Sequence, residues 1–249
     1  MSGIPPYVFQ EDHEIVRDYA TFSGRGLAEV ARLVDDFRKL SADEWNAHPG
    51  GSWREKAATF YGASWTYVFD LLRTNPSPSF VEEKLDRFEP RLLPAFRENR
   101  GRRLLEFGGG TGAFCQLAAS WGKRPTYLDV PGHVADFARW RFTRHHFDVE
   151  LLLVDPSAPL ALPEGRQWDL LFSDAVLEHV TDPEGTARTL ASAVAPGGFF
   201  GLLVDLEDDN PELPMHRSVD LGRVHAALRG AGLVPRFGEG LFVSGWDRP

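Results

Sequence analysis

Eleven residues constrain this chain more than any others: Leu104-Leu105-Glu106-Phe107-Gly108-Gly109-Gly110-Thr111-Gly112-Ala113-Phe114. A short apolar run with an acid near its end passes straight into glycines at alternate positions, and an apolar, alanine-rich segment follows. That order reads as a strand, a tight turn and a helix N-terminus, where a ligand can lie against bare backbone. Gly108, Gly110 and Gly112 fit G-x-G-x-G. Gly108, Gly110 and Ala113 also fit the G-x-G-x-x-G/A of dinucleotide folds, so the glycines alone leave the ligand open. Asp129 ends the next expected strand, about 20 residues on, where a carboxylate can accept from both hydroxyls of a ribose. Capping the following helix is its structural alternative.

From Arg102 onward strands and helices alternate. Strands are predicted at 104–107, 126–129, 149–154, 168–173 and 199–204, with helices at 112–121, 131–144 and from Asp182 to Val194. The last of these has Asp at the N-cap and Pro at its first position. Ser218 reads as the cap of a helix carrying Leu221, Val224 and Leu228. Strands at 233–237 and 241–246, joined by Gly238-Glu239-Gly240, close the chain as a hairpin. The fold class is therefore α/β: a seven-stranded, mostly parallel, doubly wound sheet with an antiparallel last strand. Its ligand is expected beyond the carboxyl ends of the strands, beside the first one.

Residues 1–100 read as a helical N-terminal region and 101–249 as the sheet domain. Residues 1–25 read as a loosely docked arm. Leu27, Val30, Ala31, Val34, Phe37 and Leu40 have helical spacing. Ser41 with Glu44, and Ser52 with Glu55, read as capping boxes, the second opening one helix from Trp53 to Leu72. That helix is aromatic on more than one side, through Phe60, Tyr61, Trp65, Tyr67 and Phe69. Packing accounts for most of these. Tyr61 and Trp65 are also candidates for a substrate wall. Pieces of helix at 80–98, interrupted at Pro90 and Pro94, lead into the first strand.

The 249 residues suffice for a packed core, with 43% hydrophobic residues. A net charge of -9 argues against a nucleic-acid surface. Arg139, Arg141 and Arg144 read as the wet face of a helix. The single cysteine, Cys115, excludes an internal disulfide and a Cys-based zinc site and reads as a core residue. The opening residues lack the pattern of a secretory signal, and no run reaches the length of a membrane span, so a cytoplasmic protein without membrane attachment is expected. Self-association as a homodimer stays open.

Several motifs resemble the class I S-adenosylmethionine-dependent methyltransferases over about Arg102 to Trp246. Glu106 to Gly112 is similar to their E/D-x-G-x-G-x-G turn. Tyr127-Leu128-Asp129 is similar to the ribose-binding acid. Val154-Asp155-Pro156 is similar to a G-D-A segment, although Val and Pro replace the small flanks. Asp169 to Val180 resembles D-L-V-x-x-x-x-V-L-E-H-V, and Ala195-Pro196-Gly197-Gly198 matches the turn before the fifth strand. The resemblance implies S-adenosylmethionine as cofactor, held by Glu106, Phe107, Gly108, Gly109, Gly110, Gly112, Asp129, Val130, Asp155, Pro156, Ser173 and Asp174. Glu106 is expected near its amino-acid part and Asp155 near the adenine amino group. It also implies that the N-terminal region acts as a lid that selects the substrate.

Methyl transfer from a sulfonium is an in-line displacement, so the protein aligns the nucleophile and excludes water. A phenol, carboxyl or amine acceptor can also use a base near neutrality, for which histidine suits. His216, in the loop after the fifth strand, is the leading candidate. His179 follows the fourth strand with Glu178, close to the expected methyl position; shaping the pocket is the alternative role for this pair. His145-His146 reads as a dipole contact at a helix end, not a metal pair. The acidic run Asp205, Glu207, Asp208, Asp209 and Glu212 reads as a solvated loop, and no metal is assigned. The expected activity is methyl transfer to an O or N atom of a small organic molecule, aromatic and of specialised metabolism. The competing readings are a regulatory module that binds the cofactor without using it, and a nicotinamide-dependent oxidoreductase.

Overall fold

A computed structural model describes residues 14–205, 210 and 212–249. Most of the expected N-terminal arm, and Glu207 to Asp209 of the acidic run, lie outside the described residues. Seven strands form one sheet: β1 (Arg103–Phe107), β2 (Arg124–Asp129), β3 (Glu150–Leu153), β4 (Trp168–Asp174), β5 (Val194–Leu203), β6 (Val234–Phe237) and β7 (Val243–Asp247). Their order is β3-β2-β1-β4-β5-β7-β6, and β7 runs antiparallel to both of its neighbours. The sheet is thus α/β and doubly wound, with six parallel strands and one reversed. The chain leaves β1 toward β2 on one side and returns to β4 on the other, which makes the end of β1 the switch point.

Both faces of the sheet are covered, which is why Leu104 to Phe107 is buried without alternation. On one face α10 (Pro183–Ser192) and α11 (Leu221–Gly230) pack over Leu105, Leu171, Phe200, Trp168 and Trp246. On the other, α8 (Ala113–Ser120) is joined by two helices from before the sheet, α6 (Pro78–Phe88) and α7 (Leu92–Glu98). They share a core with Leu104, Leu170, Phe172 and Phe199. A third core joins α1 (Glu14–Ser23), α2 (Leu27–Asp35), α3 (Phe37–Ala47) and α5 (Tyr67–Thr74) to α9 (His133–Arg144). The helices that precede β1 therefore bury their apolar stripes against the sheet domain. Cys115 is fully buried in α8.

Four local readings are corrected. The expected helix from Trp53 to Leu72 is two, α4 (Trp53–Ala63) and α5, separated by extended backbone at Ser64. The Ser52–Glu55 capping box opens α4. Ser41–Glu44 is no box, because Ser41 is buried inside α3. Glu44 reaches across to the α4–α5 break instead. There it accepts from Ser64 Oγ at 2.6 Å, from the Thr66 hydroxyl, and from the Trp65 and Thr66 amides. This satisfies donors that an unbroken helix would have used internally. Asp220, not Ser218, caps α11 through the Arg223 amide. Arg141 is not on a wet face: it is 2% exposed and bonded to Asp18 of α1. His145 likewise bonds Asp18, at 2.7 Å.

Candidate active site

The turn after β1 builds one wall of a cavity of about 330 Å³, within the range of small-molecule sites. Gly108, Gly110 and Gly112 have φ of +72°, +53° and +76°, which L side chains adopt only with strain. A Cβ on Gly108 would stand 2.3 Å from Val176, and one on Gly112 2.3 Å from Phe142. The backbone of the turn thus lies where side chains are excluded. The turn is tied to β2: Gly108 N–H donates to the Leu128 carbonyl at 2.8 Å. Asp129 Oδ2 accepts from Gly110 N–H at 2.9 Å and from the Tyr127 hydroxyl at 3.1 Å, and its Oδ1 accepts from Val130 N–H. Gly132, not Asp129, occupies the N-cap of α9.

Phe107, Gly109, Val130 and Pro156 line the same cavity, as do Glu106, Asp129, Asp155 and Asp174. Glu106 Oε2 accepts from the Cys115 amide at 2.9 Å, at the start of α8. Burial pushes its carboxyl up to about 8 and raises that of Asp129 too. Asp155 is exposed at the rim, its Oδ1 accepting from the Ser157 amide and hydroxyl, which hold its carboxyl low. Ser173 is buried in β4 and does not reach the cavity.

The opposite wall comes from the helices before the sheet. Ala57, Tyr61, Tyr67, Leu71, Asn75 and Val81 face the glycine turn. Two further glycines bring them close: a Cβ on Gly132 would meet the Gly62 carbonyl at 2.5 Å, so α4 sits directly on the loop after Asp129. Lys84 of α6 spans the walls, donating to Asn75 Oδ1 at 2.7 Å and to Asp174 Oδ2 at 2.5 Å. Sequence reasoning missed Lys84 and Asn75, which carry no local signal. It also selected Trp65 beside Tyr61. In an unbroken helix those two, four residues apart, share a face. The break at Ser64 changes the phase, so Tyr67 meets Tyr61 over the cavity, while Trp65 is 44% exposed and packs edge-on against Phe69.

His179 stands between the two tyrosines. Tyr61 Oη lies 2.6 Å from its Nδ1 and Tyr67 Oη 3.3 Å from its Nε2. Burial drives the imidazole well below its ordinary pKa, so it is neutral, and burial raises both phenols far above theirs. His216 packs edge-on behind it, ring centroids 4.5 Å apart, with its Nδ1 3.8 Å from Asp205 Oδ2. His179 lines the cavity and His216 does not. Glu178 is fully buried outside the cavity wall; its Oε1 accepts from the Asp205 amide, and burial raises its carboxyl strongly.

Residues 78–238 match a family model described as a methyltransferase domain. The chain belongs to the class I S-adenosylmethionine-dependent methyltransferases. Among curated members of the family it is similar to a ubiquinone biosynthesis O-methyltransferase of Bordetella avium, with 34% identity over 42% of this chain and 44% of that one. It is also similar to a malonyl-[acyl-carrier protein] O-methyltransferase of Serratia marcescens, with 32% identity over 44% of this chain and 41% of that one. The matched stretch thus spans under half of either relative. Among solved structures, an O-methyltransferase family protein from Burkholderia thailandensis superposes with a TM-score of 0.53 at 14% identity, covering 88% of this chain and 72% of that one. At that identity the likeness concerns the fold. The family's cofactor, S-adenosylmethionine, suits the cavity chemically. Bare backbone at Gly108 to Gly110 admits close approach, and the carboxyl groups of Glu106, Asp129 and Asp174 line the cavity as hydrogen-bonding partners for its polar groups. Among the described residues no helix is long and apolar enough to cross a membrane.

Proposed function

We propose that this chain transfers the methyl group of S-adenosylmethionine to a hydroxyl oxygen of a small, aromatic acceptor of specialised metabolism. The observation that carries this reading is the placement of His179: a neutral imidazole on the cavity wall, opposite the glycine turn. When bound, the cofactor supplies an electrophilic methyl group with a neutral thioether as leaving group. In this reading Gly108 to Gly110 and Asp129 hold the cofactor, and Glu106 and Asp174 flank its amino-acid part. His179 takes the acceptor's proton as the oxygen attacks, a role worth about 100-fold or more in rate. Tyr61, Tyr67 and Leu71 supply flat and apolar surface for the acceptor and exclude water. His216 and Asp205 support the imidazole from behind.

N-methylation is the second reading. Asp70, on α5 with Tyr67, and Asp205, beside His216, add carboxyls behind the acceptor wall, and burial lifts the Asp70 carboxyl to about 7, an environment that suits an amine. The two readings are separated by incubating the protein with labelled S-adenosylmethionine and catechol, phenol or aniline. Methylated catechol or phenol, lost by His179→Gln with cofactor affinity intact, is the expected result. Methylation of aniline alone would favour the second reading. S-adenosylhomocysteine binding without transfer to any acceptor would leave a binding module, and NADH binding in its place an oxidoreductase.

A further inference from the structure

Tyr61 makes two contacts that together dictate where the His179 proton sits. Its hydroxyl lies 2.6 Å from His179 Nδ1 and 3.3 Å from the Met215 carbonyl. A phenol has one proton to donate and lone pairs to accept with. The Met215 carbonyl can only accept; Nδ1 can do either. If the Tyr61 proton points at the carbonyl, all atoms are matched only when Nδ1 carries a hydrogen and donates it to the Tyr61 oxygen. The reverse assignment points two oxygen lone pairs at each other. Trp53 Nε1 donates to the Met215 carbonyl at 3.2 Å, fixing it in place from the start of α4.

We infer that Tyr61 is a positioning residue that holds His179 as the Nδ1–H tautomer, leaving the lone pair of Nε2 for the acceptor's hydroxyl. Tyr67 then has a second role. Its hydroxyl sits 3.3 Å from Nε2, a longer bond than that of Tyr61, and both residues line the cavity. Tyr67 Oη donates to Nε2 when no acceptor is present and marks where the substrate oxygen docks. The substrate class follows: a group with a proton to give to Nε2, such as a phenol or alcohol. A tertiary amine or a carboxylate, which have no such proton, is excluded. The inference rests on the proposed O-methyl transfer for its purpose but not for its test.

The test is the tautomer itself, read from the ring nitrogen shifts of the full chain labelled with 15N-histidine. The His179 signals are those missing from His179→Gln. Nδ1 protonated and Nε2 bare is the expected pattern, unchanged in Tyr67→Phe and lost or mixed in Tyr61→Phe. A proton on Nε2 in the unaltered protein overturns the inference outright, whether or not any variant folds. An unaltered pattern in Tyr61→Phe overturns the role of Tyr61. If catechol is methylated, Tyr61→Phe should lower kcat about tenfold, less than loss of the base itself, with S-adenosylhomocysteine affinity unchanged. No transfer to catechol, phenol or aniline would defeat the functional reading while leaving the tautomer result standing.

Discussion

The two walls of the cavity are built in opposite ways. The sheet wall is made of backbone: positive-φ glycines, strand ends and a carboxylate that grips the turn. The helical wall is made of side chains, Tyr61, Tyr67, Leu71 and Val81, drawn from three helices, two of which take their relative phase from one break. A backbone wall needs particular residue types at particular spacings, because only glycine tolerates the geometry. A side-chain wall needs only that some residue be brought there by packing. The first therefore suits a constant ligand and the second a variable one.

The largest expected effect tests whether the walls are independent at all. Arg141 Nη1 donates to the Thr111 carbonyl in the glycine turn at 2.7 Å, while its Nε bonds Asp18 of α1. Burial disfavours the guanidinium charge and Asp18, 3% exposed, opposes that. Asp18→Ala should cost about 3–5 kcal/mol, because a buried cation loses its partner. It should also weaken S-adenosylhomocysteine binding, although Asp18 lies far from the cavity in sequence. Chemical denaturation and calorimetry measure both. Restored stability in Asp18→Ala/Arg141→Met, with binding still weak, would show that the guanidinium orders the turn and not merely the fold.

A double dissociation comes next. Asp129→Ala should lower cofactor affinity about 10- to 100-fold, the value of a charged hydrogen bond. His179→Gln should lower kcat by about 100-fold or more with affinity unchanged. Equal losses of both properties in both variants would mean that the walls act as one unit.

That contrast also explains what could be read in the sequence. Glu106, the glycines and Asp129 were legible because strand, turn, helix, strand and acid must come in that order. The sheet's reversed last strand was legible from Gly238-Glu239-Gly240. Of the helical wall only Tyr61 was. Nothing near Ser64 announces a break, because its cause, Glu44, lies 20 residues upstream in sequence. Trp65 and Tyr67 change places as a result. Arg141 looked like any surface arginine until Asp18 was brought to it, and the same holds for Lys84.

The buried acid of the sheet wall gives a pH-dependent effect. Burial raises the Glu106 carboxyl from 4.5 to about 8. The folded state therefore holds a proton that the unfolded chain releases. This contribution to stability is complete below pH 4.5 and is lost as pH rises toward 8. The ligand-free protein should lose at most about 4 kcal/mol over that interval from this group, and Glu106→Gln should flatten the profile. Thermal melts at stepped pH test it; a profile unchanged in Glu106→Gln would put the buried charge elsewhere.

The smallest effect concerns the start of α4, which was also legible. Ser52 accepts from the Glu55 amide, and Glu55 Oε2 accepts from the Ser52 amide, so two donors at the start of α4 are satisfied reciprocally. Ser52→Ala should cost about 1 kcal/mol of stability. Yet Ser52 stands at the far end of α4 from Tyr61, whose position is held by His179, by the Met215 carbonyl and by Gly62 against Gly132. The melting temperature should fall by a few degrees while kcat, KM and cofactor affinity stay as they were. A kcat that fell with stability would mean that α4 transmits its end state along its length to Tyr61. The helical wall would then be a single tuned lever, and its variability between substrates would have to come from whole helices and not from single side chains.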